Sequence, residues 1–496
     1  MLFCGLDVGT SGVKAVVFDE KGEIKANCFR AYELALKNDG TRDLMSDQIW
    51  KKTKEVLKGA AAECGGDISS VAVSSFGEAF VPIDKDGRAL SEVMLFTDRR
   101  GEKEFYEAKK ATSDDRIAEL IGVPPSTMYS LPKILYIKYQ RPEVYAKTCK
   151  FLLIEDFIYY MLCGETYTDY SLAGRTMLFD VNTLTWSEEM MGVFGIDSAM
   201  FSTPVCSGTV IGTVSDRIAS ELGLKGDVKL VMGGHDQPVH AFGAGDVKGQ
   251  MVCSMGTSEC VTPVFDKRLP KELTLKRGLS TEPFVRDGRF CTLAFNATSG
   301  LLVKWFFDAF EGGEQKYAEY EANAPAGVSR LFVQPYLMGS GTPYLDPNDR
   351  YAVIGADIGT TKYEIYKASL EGLCLDQRMN IEYLKEEGMD YDTLICAGGG
   401  SRSDLWLQTK ANVLQMQVKT LKGKEMGALG CAMLCAIAIG AYSDPAEAAA
   451  QMSHTDRVFS PDASLKDAYD EKFALYKSLK KDIEKYNVYA SRTNWQ

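Results

Sequence analysis

The sequence predicts an α/β protein of two related lobes, for three reasons. Its 496 residues exceed the usual length of a single domain. Strand-rich blocks punctuated by glycine begin near residues 2 and 229, and helical patterns follow each block. We therefore expect the lobes to span residues 1–246 and 247–496. Ligands of such proteins bind at strand ends between lobes, so the functional site is expected in the intervening cleft.

Short apolar runs and turn residues predict the elements of each lobe. The first lobe opens with a hairpin, because apolar residues 2–7 and 13–18 flank a Gly-Thr-Ser-Gly turn. Its later elements are expected in this order: a strand at 23–33, a helix at 46–64, strands at 71–75 and 79–84, and mostly helix over 101–165. A second strand-rich block is expected over 229–264, followed after residue 365 by helices interrupted by one buried strand at 393–397.

Composition and charge restrict the class of protein. Lysine and arginine number 56 against 68 aspartates and glutamates, and the net charge of −12 disfavours binding to nucleic acid or anionic membranes. The 13 cysteines include no CxxC pair, so neither a structural zinc site nor a redox dithiol is predicted. No signal peptide is visible, and the apolar stretch at 431–442 is too short to cross a bilayer. These features favour a soluble cytoplasmic enzyme.

The turn of the first hairpin has the composition of a phosphate-binding loop. Small residues at 9–12 expose backbone N–H groups, and Thr10 and Ser11 add hydroxyl donors. Asp7 ends the preceding strand, where its carboxylate could hold a hydrated Mg²⁺ beside bound phosphates. The alternative is a hairpin in which Asp7 only caps the turn.

Two later glycine clusters could complete a nucleotide site. Residues 254–258 form a second small-residue turn after an apolar strand, so two turns could grip a polyphosphate from both lobes. The cluster at 396–404 allows close approach of a flat ring such as adenine, and Ser401 with Asp404 forms a predicted capping box. A Rossmann dinucleotide loop is the competing interpretation, although the GxGxxG spacing is absent.

The segment at 356–362, ADIGTTK, nearly repeats the first loop but lacks its hairpin. A helical pattern follows it instead of a strand. Because short motif matches are often accidental, we interpret this segment as structural.

Asp236 is the best candidate for chemistry. It follows a predicted strand at 229–232 and two glycines, and it could accept the proton of a hydroxyl group that attacks a phosphorus. It could also simply cap the next helix, and spacing does not separate these roles. His235 and His240 are five residues apart, which does not place both on one helix face, so no histidine metal site is predicted.

Polar residues suited to a polyol follow two apolar strands, at 74–78 and 96–100. Glu78 lies in an otherwise apolar run, where a surface ion pair is unexpected. Asp98 could face a ligand or form a surface ion pair with Arg100.

With these features in order, the chain resembles the FGGY family of carbohydrate kinases over nearly its whole length. The opening GLDVGTSGVKAVVFDEKGEI matches the family's ATP loop. Four further stretches are similar to family patterns: TDYSLAGRTMLFDVNTLTW at 168–186, GSGTPYLDPNDR at 339–350, GGGSRSDLWLQ at 398–408 and EMGALGCAML at 425–434. The resemblance implies two actin-like (ribonuclease H-like) lobes with ATP, Mg²⁺ and a sugar in the cleft.

The resemblance also implies roles for individual residues. Asp236 corresponds to the catalytic base and Asp7 to the residue near Mg²⁺. The positions on the nucleotide side are Thr10, Ser11, Gly256, Thr257, Gly300, Lys304, Gly399 and Ser403. The positions that touch the polyol in glycerol kinases are Glu78, Asp98, Tyr129, Asp236 and Gln237.

The substrate class stays open, because the similarities diverge. Glu78 and the Asp236-Gln237 pair resemble glycerol kinases, but Gly77 and Phe96 stand where those enzymes have arginine and tryptophan. These smaller residues enlarge a pocket, so we expect a pentulose as in xylulokinases, although those carry Met-His at Gly77-Glu78. Glycerol, a tetritol or a fuculose-type ketose are the alternatives. The competing classes are a non-catalytic actin-like nucleotide sensor and a Rossmann oxidoreductase. A homodimer is expected only because symmetric dimers are common.

Overall fold

The computed structural model describes residues 1–33, 35–36, 42–245, 248–286, 288–423 and 425–492. The strands are β1 Leu2–Val8, β2 Gly12–Asp19, β3 Ile24–Ala31, β4 Ala35–Leu36, β5 Arg42–Asp43, β6 Ser70–Ser75, β7 Phe80–Ile83, β8 Lys150–Leu153, β9 Tyr167–Asp169, β10 Phe179–Asp180, β11 Thr185–Trp186, β12 Thr203–Val205, β13 Val210–Thr213, β14 Lys229–His235, β15 Gln250–Met255, β16 Glu259–Phe265, β17 Glu282–Pro283, β18 Phe290–Cys291, β19 Ala294–Asn296, β20 Phe332–Gln334, β21 Ala352–Ile354, β22 Thr393–Ala397, β23 Gln417–Leu421 and β24 Thr455–Phe459. The helices are α1 Ser46–Glu63, α2 Glu102–Ala108, α3 Asp114–Ile121, α4 Ser130–Gln140, α5 Pro142–Lys147, α6 Ile154–Cys163, α7 Tyr170–Gly174, α8 Glu188–Phe194, α9 Asp216–Leu222, α10 Asp236–Gly243, α11 Lys271–Arg277, α12 Gly300–Phe310, α13 Tyr317–Asn323, α14 Lys362–Glu386, α15 Asp404–Leu414, α16 Met426–Ala438, α17 Pro445–Met452 and α18 Lys466–Ser491. The predicted lobe boundary at 246–247 lies outside the described residues.

The first lobe is built on a six-stranded sheet in the order β13-β14-β6-β1-β2-β3. β1 pairs antiparallel with β2, which confirms the predicted hairpin, and parallel with β6, which in turn pairs parallel with β14. The carboxyl ends of parallel strands meet at one edge of a sheet. Asp7, near the end of β1, and Asp236, just after β14, therefore lie at the same edge.

The second lobe repeats this arrangement in an eight-stranded sheet. Its order is β17-β18-β16-β15-β22-β23-β24, with β19 also paired to β16. β15 pairs antiparallel with β16 and parallel with β22, and β22 pairs parallel with β23. Each lobe thus places an antiparallel hairpin beside parallel strands, which confirms the predicted pair of related α/β lobes.

The prediction of a single strand after residue 365 is wrong, because β23 and β24 follow β22. β22 is buried along its whole length, and its apolar run was easy to recognise. In β23, buried and partly exposed residues alternate, and β24 is mostly exposed, so neither strand contains a continuous apolar run. Polar side chains on the outer face interrupt the apolar pattern, so neither strand was recognised from the sequence.

The segment at 356–362 is structural, as expected. It forms an exposed turn that leads directly into α14. The Thr361 hydroxyl accepts a hydrogen bond from the Glu364 N–H, so these residues cap a helix instead of closing a hairpin.

Helices α10 and α16 lie between the two sheets and join the lobes. α10 leaves the end of β14, and α16 packs on β1, β6 and β14 although it comes from the second half of the chain. A Cβ atom added at Gly243 would lie 2.2 Å from the Met426 carbonyl oxygen, and one at Gly430 would lie 2.2 Å from that of Val239. The two helices therefore touch through their backbones, inside an apolar core that both sheets share.

All 13 cysteines are free thiols. No helix in the described part of the chain combines the length and the apolar character that a membrane span requires.

Candidate functional site

Asp7 lies half-buried at the end of β1, beside the tip of the first hairpin. Burial raises its pKa to about 6, the charge of Lys14 opposes this rise, and the charge of Glu425 adds to it. Lys14 faces Asp7 across the hairpin and donates to Glu425 at 2.6 Å. Among the described residues, no hydrogen bond to the Asp7 carboxylate affects its pKa. A half-buried carboxylate that has no hydrogen-bonding partner in the described part of the chain suits a largely hydrated Mg²⁺.

Thr10 and Ser11 form the tip of the hairpin. The Gly9 N–H donates to the Gly12 carbonyl at 2.9 Å and closes the turn. Thr10 is half-buried and Ser11 is exposed. The turn therefore presents both hydroxyls at the end of β1 that carries Asp7.

Asp236 is the first residue of α10, and its side chain is 35% exposed. Burial raises its pKa from 3.8 to about 7, and the negative charges of Asp7 and Glu78 add to this rise. A hydrogen bond from the Gln237 N–H and the positive charge of Arg175 oppose it. Burial raises the pKa of the Cys260 thiol on β16 to about 12, and the Asp236 carboxylate adds to that shift. Asp236 thus lies near carboxylates of the first lobe and near the hairpin formed by β15 and β16 of the second lobe.

Polar contacts hold the chain just before Asp236. The Gly233 N–H donates to Glu155 Oε1 at 2.8 Å, and the His235 N–H donates to Ser171 Oγ at 2.9 Å. Burial lowers the pKa of His235 well below its ordinary value, so the imidazole is neutral. Its Nε2 lies 3.3 Å from Asp236 Oδ1. His235 therefore shapes the surroundings of the carboxylate without adding charge.

We expect Asp236→Asn to raise the melting temperature of the ligand-free protein, and to do so more at high pH. Because folding raises the pKa of Asp236 from 3.8 to about 7, stability is lost as pH rises through this range. Asparagine removes that loss. The gain should grow from pH 4 to pH 7 and stay constant above, at roughly a few degrees for a partly exposed group. Thermal melts across pH measure it, with the exposed Asp390→Asn as control. A pH-independent difference would contradict the pKa shift.

Six of the predicted nucleotide-side residues line one cavity of about 560 Å³ in the second lobe. They are Gly256, Thr257, Gly300, Lys304, Gly399 and Ser403. Tyr317, Tyr366 and Trp406 add aromatic surface to the wall. The volume falls within the range of small-molecule sites, and aromatic walls suit a flat ring. Thr10 and Ser11 are not part of this lining.

Ser403 caps α15, and the predicted capping box of Ser401 with Asp404 is wrong. Residues 399–402 form a short 3₁₀ turn before the helix begins. Ser403 Oγ accepts from the Trp406 N–H at 3.2 Å, and Asp404 instead forms an ion pair with Arg457. A hydroxyl that accepts one hydrogen bond can still donate another, so Ser403 keeps a donor for a ligand in the cavity.

A fully buried ion pair between Lys410 and Glu259 lies beside the small-residue turn at 254–258 and supports it. Ser299 Oγ donates to Glu259 Oε2 at 3.3 Å, and the Gly300 N–H donates to the Gly256 carbonyl at 3.0 Å. The pair therefore connects α15 and β16 to the start of α12, next to the cavity.

Glu78 is buried and forms an ion pair with Arg175. Arg175 Nε donates to Glu78 Oε1 at 2.6 Å, and Nη1 donates to both oxygens of Glu282 at 2.8 and 2.9 Å. We call these three residues the Glu78–Arg175–Glu282 cluster. Glu78 and Arg175 belong to the first lobe, and Glu282 lies on β17 of the second sheet.

Tyr129 packs against this cluster. The Arg175 guanidinium lies 4.9 Å from the centre of the buried Tyr129 ring. Lys133 Nζ donates to the carbonyl oxygens of Thr127, Met128 and Tyr129, and thereby holds the preceding loop. The structure therefore brings Tyr129 together with Glu78.

Asp98 forms a half-buried ion pair with Arg100, which accords with the ion-pair interpretation of this residue. Arg100 Nε lies 2.9 Å from Asp98 Oδ2, and Arg100 also binds Glu92. The charges of Glu78 and Asp98 both act on Lys133. Asp98 and Glu78 therefore both lie near Lys133, and Asp98 already binds one cation, Arg100.

Sequence reasoning missed Arg175, Glu282 and Lys133. Arg175 lies in the stretch 168–186, which was recognised as a family pattern without a mechanistic meaning. The signal available was an arginine within a mostly apolar stretch. Glu282 and Lys133 are separated from Glu78 by long stretches of chain, and only the fold reveals that they converge.

The repeated strand order, the two helices between the sheets and the carboxylates at the sheet edge define a two-lobed actin-like α/β protein. Its structure superposes on the ligand-bound xylulose kinase from Lactobacillus acidophilus with a TM-score of 0.90 at 23% identity, covering 97% of this chain and 98% of that chain.

The chain belongs to the FGGY family of carbohydrate kinases: the family's N-terminal domain matches residues 2–243 and its C-terminal domain matches residues 251–439. It is 28% identical to a xylulose kinase of Bacillus subtilis (strain 168), over 96% of each chain. It is 27% identical to an L-fuculokinase of Escherichia coli (strain K12), over 92% of this chain and 96% of that protein. The protein is therefore a carbohydrate kinase, as the resemblance implied.

Proposed function

We propose that the protein transfers the γ-phosphoryl group of ATP, bound with Mg²⁺, to a hydroxyl group of a pentulose. The observation that carries this proposal is the pair Asp7 and Asp236 at one edge of the first sheet. Asp7 suits a hydrated cation, and Asp236 is a partly exposed carboxylate with a pKa of about 7. A general base works best when its pKa lies near the working pH.

Asp236 would accept the proton of the sugar hydroxyl as that oxygen attacks the γ-phosphorus. The Thr10, Ser11 and Thr257 hydroxyls and the backbone N–H groups of both turns would bind phosphate oxygens. Asp7 would hold the Mg²⁺, which neutralises charge on the phosphates when bound. Because the transition state is loose, positioning and charge neutralisation should contribute more than the base, whose share is about 10²–10⁴-fold.

The relatives support a ketose as the acceptor. The xylulose kinase of Bacillus subtilis matches over 96% of both chains, which favours a pentulose. The L-fuculokinase of Escherichia coli makes a deoxyhexulose the second candidate. Glycerol is the third candidate, because Glu78 and the Asp236-Gln237 pair resemble glycerol kinases whereas Gly77 and Phe96 do not.

Sugar-dependent ADP release tests the proposal. The panel comprises D- and L-xylulose, D- and L-ribulose, L-fuculose, erythritol and glycerol, each with MgATP. We expect the highest kcat/KM with a pentulose. A clear preference for L-fuculose or glycerol would overturn the pentulose assignment. Binding of ATP without ADP release on any acceptor would overturn the kinase proposal and identify a nucleotide sensor.

A further inference from the structure

The cations around the sugar-side residues are already bound to protein acceptors. In the Glu78–Arg175–Glu282 cluster, one guanidinium faces two carboxylates, and the exposed fractions of the three side chains are 6% or less. Arg100 is held by Asp98 and Glu92. Lys133 donates to three backbone carbonyls, and burial lowers its pKa to about 8. Arg175, Arg100 and Lys133 are thus all bound to acceptors of the protein itself.

The carboxylates of this region, in contrast, are not all neutralised by cations. The cluster contains two carboxylates and one guanidinium, so its net charge is −1 when both carboxyls are ionised. Asp7, Asp98 and Asp236 add further carboxylates nearby, and the charges of Asp7 and Glu78 act on Asp236. Hydroxyl groups can donate to such oxygens, whereas a carboxylate on the sugar would meet like charges.

Glu78 is also held in a strained backbone conformation. Its φ angle is 64°, in the left-handed region that non-glycine residues rarely adopt. The Ser130 hydroxyl donates to the Glu78 carbonyl at 2.9 Å, while Arg175 holds its carboxylate. Strain of this kind persists only where surrounding contacts enforce it, and it is found at functional sites.

The space beside Gly77 is also filled by this arrangement. A Cβ atom at position 77 would lie 2.8 Å from His235 Cδ2 and 3.4 Å from Arg175 Cγ. The absence of a side chain at Gly77 therefore admits His235 and Arg175, and does not by itself leave a larger pocket as the sequence suggested.

We infer that Arg175 is a positioning residue, anchored by Glu282 of the second lobe, that holds Glu78 as a hydrogen-bond acceptor for sugar hydroxyls and restricts the acceptor to uncharged sugars. This inference rests on the proposed sugar kinase function. It assigns Arg175 and Glu282 a role in selecting the acceptor, and it excludes sugar acids. A buried ion cluster adds little stability over apolar packing, so specificity explains its presence better than stability does.

Steady-state kinetics of Glu282→Gln and Arg175→Lys on the best neutral sugar provide the first test. Glu282→Gln keeps the size of the side chain and Arg175→Lys keeps its charge, but both disturb the contacts that hold Glu78. We expect the KM for the sugar to rise about tenfold and the KM for ATP to change less than about twofold. The control is Glu371→Gln on α14, a fully buried carboxylate that forms an ion pair with Lys472 on α18. It should lower the melting temperature and leave the sugar KM unchanged.

Competitive inhibition provides the second test, with xylitol as the neutral probe and xylonate as the anionic one. Xylitol should inhibit the wild-type protein at least about tenfold more tightly than xylonate. In Glu282→Gln, which removes one negative charge, this preference should shrink severalfold. Equal inhibition by both probes in the wild type would overturn the exclusion of sugar acids.

The outcomes separate the inference from the function on which it rests. If no sugar on the panel supports ADP release, the kinase proposal fails. If the wild type phosphorylates a neutral sugar but Glu282→Gln and Arg175→Lys keep its KM, the kinase proposal stands and the positioning role is wrong. Equal effects on the KM values for sugar and ATP would mark a general structural role and would also overturn the inference.

Discussion

Asp236→Asn is expected to lower kcat for sugar phosphorylation by about 10²–10⁴-fold, with little change in the KM for ATP. Asparagine keeps the size of the side chain and its place at the start of α10, but it cannot accept the hydroxyl proton. The loss should therefore fall on the chemical step. Initial rates of ADP release at saturating sugar and MgATP measure it.

The protonation state of Asp236 makes this result easy to interpret. The variant should melt no lower than the wild type, because removing a carboxylate whose pKa is raised to about 7 relieves a destabilising charge. Stabilisation by MgATP in thermal melts should be retained. Wild-type turnover in this variant would contradict the role of Asp236 as the base, and lost activity with a lower melting temperature would point to misfolding.

Lys410→Met is expected to lower the free energy of unfolding by about 3–5 kcal/mol, or the melting temperature by roughly 10 °C. Lys410 and Glu259 are both fully buried. Burial opposes the charge of Lys410, yet the Glu259 carboxylate overrides it and raises the lysine pKa. Lys410 also donates to Gln377 Oε1 at 2.8 Å. Methionine would leave Glu259 as an unpaired charge in the core. Chemical denaturation measures the loss.

Two further variants check the cause of this destabilisation. In Lys410→Met/Glu259→Gln, neither charge remains, so more than half of the lost stability should return. Lys466→Met removes an exposed lysine that pairs with Asp470, and it should cost less than about 1 kcal/mol. A loss below 1 kcal/mol in Lys410→Met would show that the buried pair does not hold this region together.

The fold was largely predictable, because its central strands are continuous apolar runs followed by small turn residues. β1, β2, β14, β15 and β22 were each visible in this way. β23 and β24 were not, since their outer faces are polar and their pairing depends on strands far away in the sequence. Periodicity detects a strand that is buried on both faces more readily than one at a sheet edge.

The candidate site shows the same division. Glycine turns and the acid after β14 are local patterns, so Thr10, Gly256 and Asp236 could be proposed directly. The partners of Glu78 could not, because Arg175 is 97 positions away and Glu282 is 107 positions beyond Arg175. The helix cap was misplaced at Ser401, since a 3₁₀ turn delays the start of α15. Contacts of long sequence separation depend on the fold and leave no local signature.

The backbone contact between α10 and α16 has a practical consequence. α10 is only eight residues long, with Asp236 at its first position and Gly243 at its last. Asp236 and the point at which α10 touches α16 therefore lie at opposite ends of one short helix. In a mutagenesis library selected for growth on the sugar, substitutions of Gly243 and Gly430 should abolish growth. Without the fold, this intolerance would be attributed to ligand contacts, although it reflects the packing of two helices.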